Sequence, residues 1–192
     1  RAGVERIVVL RGDRPEGVAV PGPFQYASDL VRFVQQEFPN EFHIEVACYP
    51  EFHPESPNPE SEFKYFKEKV DAGAHGATTQ YFYNTDCYFQ FLDDCERHGI
   101  DIPITPGIMP ITNYSNLVRF ADACGAEIPR WLRKRLEAFG DDIESIRALG
   151  VDVVTHLCER LLGMQAPGLH FYTMNQASPT LAIWDNLGLD NR

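Results

Sequence analysis

No apolar run in this 192-residue chain approaches the roughly 20 residues that span a bilayer. Positive charge is also scarce. Lys and Arg number 17 against 28 Asp and Glu, a formal net charge of −11, where a nucleic-acid surface wants a basic footprint. The five cysteines (Cys48, Cys87, Cys95, Cys124, Cys158) are odd in number and contain no CxxC pair. That excludes a paired-ligand zinc site and a disulfide framework, and it reads as reduced, cytoplasmic usage. A G-x-S-x-G elbow, a Walker lysine motif and a G-x-G-x-x-G fingerprint are all missing, so no motif announces a serine nucleophile or a phosphate cradle. Repeats, low-complexity tracts and a dividing linker are absent too. The opening Arg1-Ala-Gly-Val-Glu5 reads as neither a signal nor a transit peptide.

What is present is 44% hydrophobic residues, enough for one sizeable core. They fall into alternating short and long patterns. Buried strands are expected at Ile7 to Leu10, Phe42 to Ala47, Ala77 to Tyr81, Ile102 to Thr105 and Leu169 to Tyr172, the fourth cut off by Pro106-Gly107. Helical spacing covers Tyr26 to Phe38, with Leu30, Val31 and Val34 on one stripe. A second helix follows the Asn58-Pro59 cap and carries Phe63, Phe66 and Val70. Further helices start at Thr85 or Asp86, where Cys87 and Cys95 share a face as small core residues, and at Ser115, Pro129, Asp141 (with Glu144 a D-x-x-E box) and Ser178-Pro179. Gly150 inside the long helix predicts close packing rather than a break. About five strand–helix alternations imply a parallel sheet. A (β/α)₈ barrel needs eight units and roughly 250 residues. The chain therefore reads either as an open doubly wound sheet or as the C-terminal part of a barrel.

In parallel α/β folds ligands sit at the C-terminal ends of strands. Here those ends carry Arg11-Gly12-Asp13, then Tyr49 through His53, Gln80, Pro106-Gly107 and Tyr172-Thr-Met-Asn175. Arg11 can hold an anion, Gly12 admits close approach to the backbone, and Asp13 can steer charge. Taken alone, the same three residues describe a surface turn with a solvated ion pair. Five polar or aromatic strand ends on one rim make a binding site, and their chemistry favours a large aromatic cofactor over covalent catalysis. In an extended segment Glu51, His53 and Glu55 would face one way and could converge on a metal, giving a metal-dependent hydrolase. The plainer reading, a rim loop with one hydrogen-bonding His, is preferred. Gln80 either satisfies a strand end or reads a ring with adjacent donors and acceptors. Phe120 is either core or a stacking platform for a planar ligand.

Several motifs occur in a telling order: Leu10-Arg-Gly-Asp13, Tyr26-Ala-Ser-Asp-Leu30, Ala47-Cys-Tyr-Pro-Glu-Phe-His-Pro54, Lys69-Val-Asp-Ala-Gly-Ala74, Thr79-Gln80, Pro106-Gly-Ile-Met-Pro110 and His170-Phe-Tyr-Thr-Met-Asn175. Together they resemble the methylenetetrahydrofolate reductase family in its bacterial single-domain form, over essentially the whole chain. The resemblance implies a (β/α)₈ TIM barrel of which residues 1–192 supply about the last five β/α units of a single domain. The first strands, and the glutamate that serves as general acid, would precede Arg1. It implies FAD as cofactor, NADH (or NADPH) as electron donor, and ping-pong hydride transfer that converts 5,10-methylenetetrahydrofolate to 5-methyltetrahydrofolate, in one-carbon metabolism and methionine biosynthesis. The implied enzyme is cytoplasmic and homo-oligomeric, with small-molecule partners and neither nucleic acid nor membrane.

By matching position, Arg11, Gly12, Asp13, Tyr26, Ala27, Ala47, Tyr49, His53 and Lys69 resemble FAD contacts. Asp13 resembles the catalytic carboxylate, placed to stabilise a cationic folate iminium and to disfavour negative charge on reduced flavin. Gln80, Phe120 and Tyr172 resemble the residues that meet folate and nicotinamide in turn. The chain departs from the family pattern at Glu62, Tyr65 and Glu68, where Asp, Asn and Arg are usual. It departs again at Asn116 and Gln176, where Gln and Arg are usual. Without the upstream acid, these 192 residues alone should turn over poorly, by about 10²–10⁴-fold. A non-catalytic fragment that still binds a flat ligand is the remaining alternative.

Overall fold

The computed structural model describes residues 3–12 and 22–189. Five strands run parallel: β1 (Arg6–Val9), β2 (His43–Cys48), β3 (Gly76–Tyr81), β4 (Ile104–Ile108) and β5 (His170–Phe171). Their spatial order is their order in the chain, β1-β2-β3-β4-β5. A doubly wound sheet must reverse direction at a switch point, so the unbroken order excludes that reading. Sequential parallel strands with right-handed crossovers place successive helices on one face, which is the construction of a (β/α) barrel wall. The fold is thus five successive β/α units of an α/β barrel, with β1 and β5 at the sheet edges among the described residues.

Strand alternation shows the two faces. Ile44, Val46 and Cys48 of β2 are fully buried under the helices, in register with Val9 of β1 and with Ala77 and Thr79 of β3. The opposite face carries Val8, Glu45, Ala47 and Thr78. Val8 there is 57% exposed, so this face has no helical layer over it.

Helices α1 (Ala27–Glu37), α2 (Pro59–Asp71) and α3 (Thr85–Arg97) follow the first three strands. The Asn58 side chain caps α2 by accepting from the Ser61 amide at 2.8 Å, with Pro59 at the first helical position. The α2 stripe buries Phe63 and Phe66 against Phe91 of α3, ring centroids 5.5 and 5.8 Å apart. In α3, buried Tyr88 donates its hydroxyl to the Ile104 carbonyl (2.7 Å), tying the helix to the start of β4. Between β4 and β5 lie α4 (Tyr114–Cys124), α5 (Arg130–Phe139) and α6 (Ile143–Gly163), and α7 (Ala177–Asn186) closes the described chain.

Several boundaries differ from those expected. β4 runs through Pro106-Gly107 rather than stopping there. The β3–β4 register slips between Thr78 and Tyr81, and the Gly107 amide donates to the Thr79 hydroxyl (2.8 Å) instead of completing a regular ladder. That irregularity accommodates a residue without an N–H. The cap of α6 is Asp142, not Asp141: its carboxylate accepts from the Ser145 amide and hydroxyl at 3.1 and 2.7 Å. The last helix begins at Ala177 with Gln176 as its N-cap, two residues earlier than Ser178-Pro179 suggests. Proline is tolerated in a first turn, where its missing donor has no partner to lose. At Gly150 a methyl group would overlap the Ile111 carbonyl oxygen, so α6 crosses against the end of β4 at a distance only glycine allows.

Candidate functional site

At the C-terminal ends of β1 and β2 lies a cleft of about 300 Å³. Its floor is Val9, Leu10 and Ala47, and the first turn of α1 (Tyr26, Ala27, Ser28) forms one wall. The flank of α2 (Glu62, Tyr65, Glu68, Lys69) and the β2–α2 loop (Tyr49, His53, Glu55, Ser56) complete it, and Arg11 stands at its edge. Four chain segments therefore meet here, each delivered by a strand end or a helix start.

Tyr26 is the N-cap of α1, its backbone N–H held by the Asp29 carboxylate at 2.9 Å. The partial positive charge of that helix end faces the cleft. Tyr26 and Tyr65 are 57% and 44% exposed as residues, two aromatic side chains beside polar groups. Arg11 donates to the Glu55 carboxylate at 2.6 Å. The Lys69 ammonium donates to the Ala47 carbonyl at 2.5 Å and lies 5.9 Å from the Tyr49 ring centroid and 5.5 Å from that of Phe66. Burial lowers the Lys69 pKa, while Cys48 and Glu62 favour its charged form. Burial and the Glu62 charge raise Tyr49 to about 12, so its phenol stays protonated at neutral pH.

Glu62 is 3% exposed. Its carboxylate accepts from the His53 amide (3.1 Å) and the Ser56 hydroxyl (2.6 Å). In this way α2 holds the loop that presents Tyr49 and His53, whose rings meet edge-on at 4.7 Å. Glu62, Tyr65 and Glu68, where the chain departs from the family pattern, thus stand on the cleft wall. Ser28 and Ser56 also line it; Ser28 lies within the Tyr26-Ala-Ser-Asp-Leu30 motif, and no motif marks Ser56.

Of the other residues singled out from the sequence, Asp13 lies outside the described residues. Gly12 follows Arg11, with open space where a Cβ would project. Gln80 lines a second, small cavity with Tyr49, Glu51, Tyr81 and Cys124, so Tyr49 borders both sites. The Gln80 side-chain oxygen accepts from the Tyr81 amide at 3.1 Å, which answers to its strand-end reading. The Tyr172 hydroxyl donates to the Thr79 carbonyl (2.9 Å), bringing β5 to the same rim. Phe120, half-buried on α4, packs on the core with the Arg119 guanidinium 5.1 Å from its ring centroid. Asn116 and Gln176 are exposed, and neither lines a cavity described above.

The metal reading of Glu51, His53 and Glu55 is overturned. Phe52 takes a left-handed φ of 65°, which breaks the extended alternation that would align the three side chains. Glu51 turns to accept from the Glu127 amide (2.9 Å), Glu55 holds Arg11, and His53 Nδ1 accepts from the Glu55 amide (3.0 Å). Among the described residues no group of three His, Cys, Asp or Glu is placed to hold a metal ion.

Comparison with known proteins identifies the family. The family model described as methylenetetrahydrofolate reductase matches residues 1–188. The chain is 40% identical to "Methylenetetrahydrofolate reductase (NADH) 1" of Arabidopsis thaliana, over 97% of this chain and 34% of that protein. It is 38% identical to the 5,10-methylenetetrahydrofolate reductase of Escherichia coli K12, over 97% of this chain and 62% of that one. The chain thus spans between a third and two thirds of the length of these relatives. Among solved structures, an uncharacterized Clostridium thermocellum protein that binds two copies of 5-methyl-5,6,7,8-tetrahydrofolic acid superposes with a TM-score of 0.57 at 19% identity. That match covers 85% of this chain and 59% of the other, a likeness of fold.

Proposed function

The chain belongs to the methylenetetrahydrofolate reductase family, and we propose that its rim cleft is the FAD site of such a reductase. The observation that carries this reading is the meeting in one cleft of Arg11, Tyr26, Ala27, Ala47, Tyr49, His53 and Lys69, drawn from four segments of the chain. The donor set suits a flavin dinucleotide. A carboxylate already occupies the Arg11 fork at 2.6 Å, where a phosphate oxygen would make the same charge-assisted bond. The α1 N-terminus offers a second anion-friendly position, and Tyr26 and Tyr65 offer ring faces.

Bound there, FAD would supply the hydride relay from NADH or NADPH to 5,10-methylenetetrahydrofolate, giving 5-methyltetrahydrofolate. The chain's own residues orient and select. Lys69, fixed on the Ala47 carbonyl between two rings, holds a positive charge at a stated place on the wall. Tyr49, kept protonated, borders both the cleft and the small cavity of Gln80. Gln80 spends its oxygen on Tyr81, and its amide nitrogen is the donor proposed to meet a flat substrate. Tyr172 braces the rim by bonding β3. Asp13 is the carboxylate proposed to steer charge in the folate step, and Phe120 the ring proposed to stack on either substrate. The whole is one barrel domain of a cytoplasmic homo-oligomer.

The reading is tested by adding FAD to the purified chain and following flavin fluorescence. Saturable quenching that weakens at least tenfold in Lys69→Met supports it. Quenching that is absent, or indifferent to Lys69, contradicts it.

A further inference from the structure

Three carboxylates line the cleft, and they are not equivalent. Glu62 is buried and committed to the His53 amide and the Ser56 hydroxyl. Glu68 stands on the α2 flank. Glu55 reaches from the β2–α2 loop across 44 positions of sequence to the Arg11 guanidinium, 2.6 Å away, and its side chain is 58% exposed against 24% for Arg11. The exposed partner is the acid and the more buried one is the cation. A ligand anion entering the cleft therefore meets the Arg11 fork with a carboxylate already on it. The Glu55 amide donates to His53 Nδ1 at 3.0 Å, so the loop's main chain is held in place while the exposed carboxylate extends to Arg11.

We propose that Glu55 is an intramolecular competitor for the ligand's phosphate at Arg11, setting how tightly the cleft takes a phosphate-bearing ligand. This rests on the reading of the cleft as the FAD site and names a determinant of affinity within it. Binding of a diphosphate transfers the Arg11 donors from the carboxylate to phosphate oxygens, and Glu55 swings to solvent. No bond is made or broken covalently. An ion pair this exposed is weak, so the effect of removing it is modest and of unusual sign: a substitution on the cleft wall tightens binding.

The experiment compares wild type with Glu55→Gln, which keeps the side chain's size and loses its charge. Dissociation constants for FAD and for riboflavin, which has the ring but no phosphate, are measured by flavin fluorescence, in the native background and with Arg11→Gln. Thermal melts verify that each variant is folded. The expected result is FAD binding about two- to fivefold tighter in Glu55→Gln, riboflavin unchanged, and the gain abolished when Arg11 is also replaced. FAD affinity that is unchanged or weaker in Glu55→Gln overturns the competition while leaving the cleft a flavin site. A gain that persists without Arg11 also overturns it, since repulsion at large would then be the cause. If neither wild type nor variant binds FAD, the competition and the flavin reading fall together.

Discussion

Glu62 illustrates what one side chain does at this rim. It is a buried carboxylate whose two hydrogen bonds both go to the loop that shapes the cleft. Glu62→Ala should leave the His53 amide and the Ser56 hydroxyl without their acceptor, at a cost of about 1–3 kcal/mol. Urea unfolding reads that cost, and a midpoint equal to wild type would show the loop is held by something else. Most residues on the cleft could be read from sequence, because each belongs to a motif at a strand end or helix start. Glu62 could be read only as a departure from a pattern. Its role depends on which way a helix side chain points, and on a loop folding back over nine residues. Glu51, His53 and Glu55 failed as a metal set for a related reason. Their spacing assumes an extended strand, and the left-handed turn at Phe52 has no signature of the kind glycine would leave.

Among elements, the α6–β4 crossing is the sharpest case. Replacing a mid-helix glycine with alanine normally stabilises a helix by about 1 kcal/mol. Gly150→Ala should do the opposite, because its methyl group meets the fixed Ile111 carbonyl rather than a mobile side chain. A thermal melt of the variant several degrees below wild type is expected; a higher melting temperature would mean the crossing can open at no cost. Gly107 is a second such position, pressed against the Thr79 carbonyl and the Tyr172 ring. The alternation of strands and helices was legible because the buried strands are short and apolar and the helix stripes recur at 3.6 residues. The extent of β4 was not. Proline ordinarily ends a ladder, and only the neighbouring strand's slipped register makes room for it. The helix caps at Asp142 and Gln176 moved by a residue or two because adjacent polar residues compete for one capping position.

At the scale of the whole molecule, the buried thiols give the protein a pH signature. Burial raises the pKa values of Cys48, Cys87, Cys95 and Cys158. Each native thiol therefore keeps its proton where the unfolded one, near 8.5, has lost it. The stabilisation is complete below that pH and is lost as pH rises, by about 1.4 kcal/mol per pH unit for each fully shifted group. Lys69, its pKa lowered, works in the opposite sense between its native value and about 10.4, but it is one group against several. Stability measured by denaturant between pH 8 and 10 should fall, and a flat profile would show that the thiols ionise in place. The same molecule-wide view separates the two architectures that sequence left open. Composition and periodicity fit either, and only the unbroken strand order β1 to β5 selects the barrel wall.

The central claim is that this wall carries a working flavin cleft. Its most direct test is the visible absorption spectrum of the chain after incubation with FAD and desalting, recorded before and after anaerobic NADH. The account predicts a retained flavin band that bleaches on reduction. A desalted protein that is folded and colourless, and leaves NADH unoxidised, contradicts it.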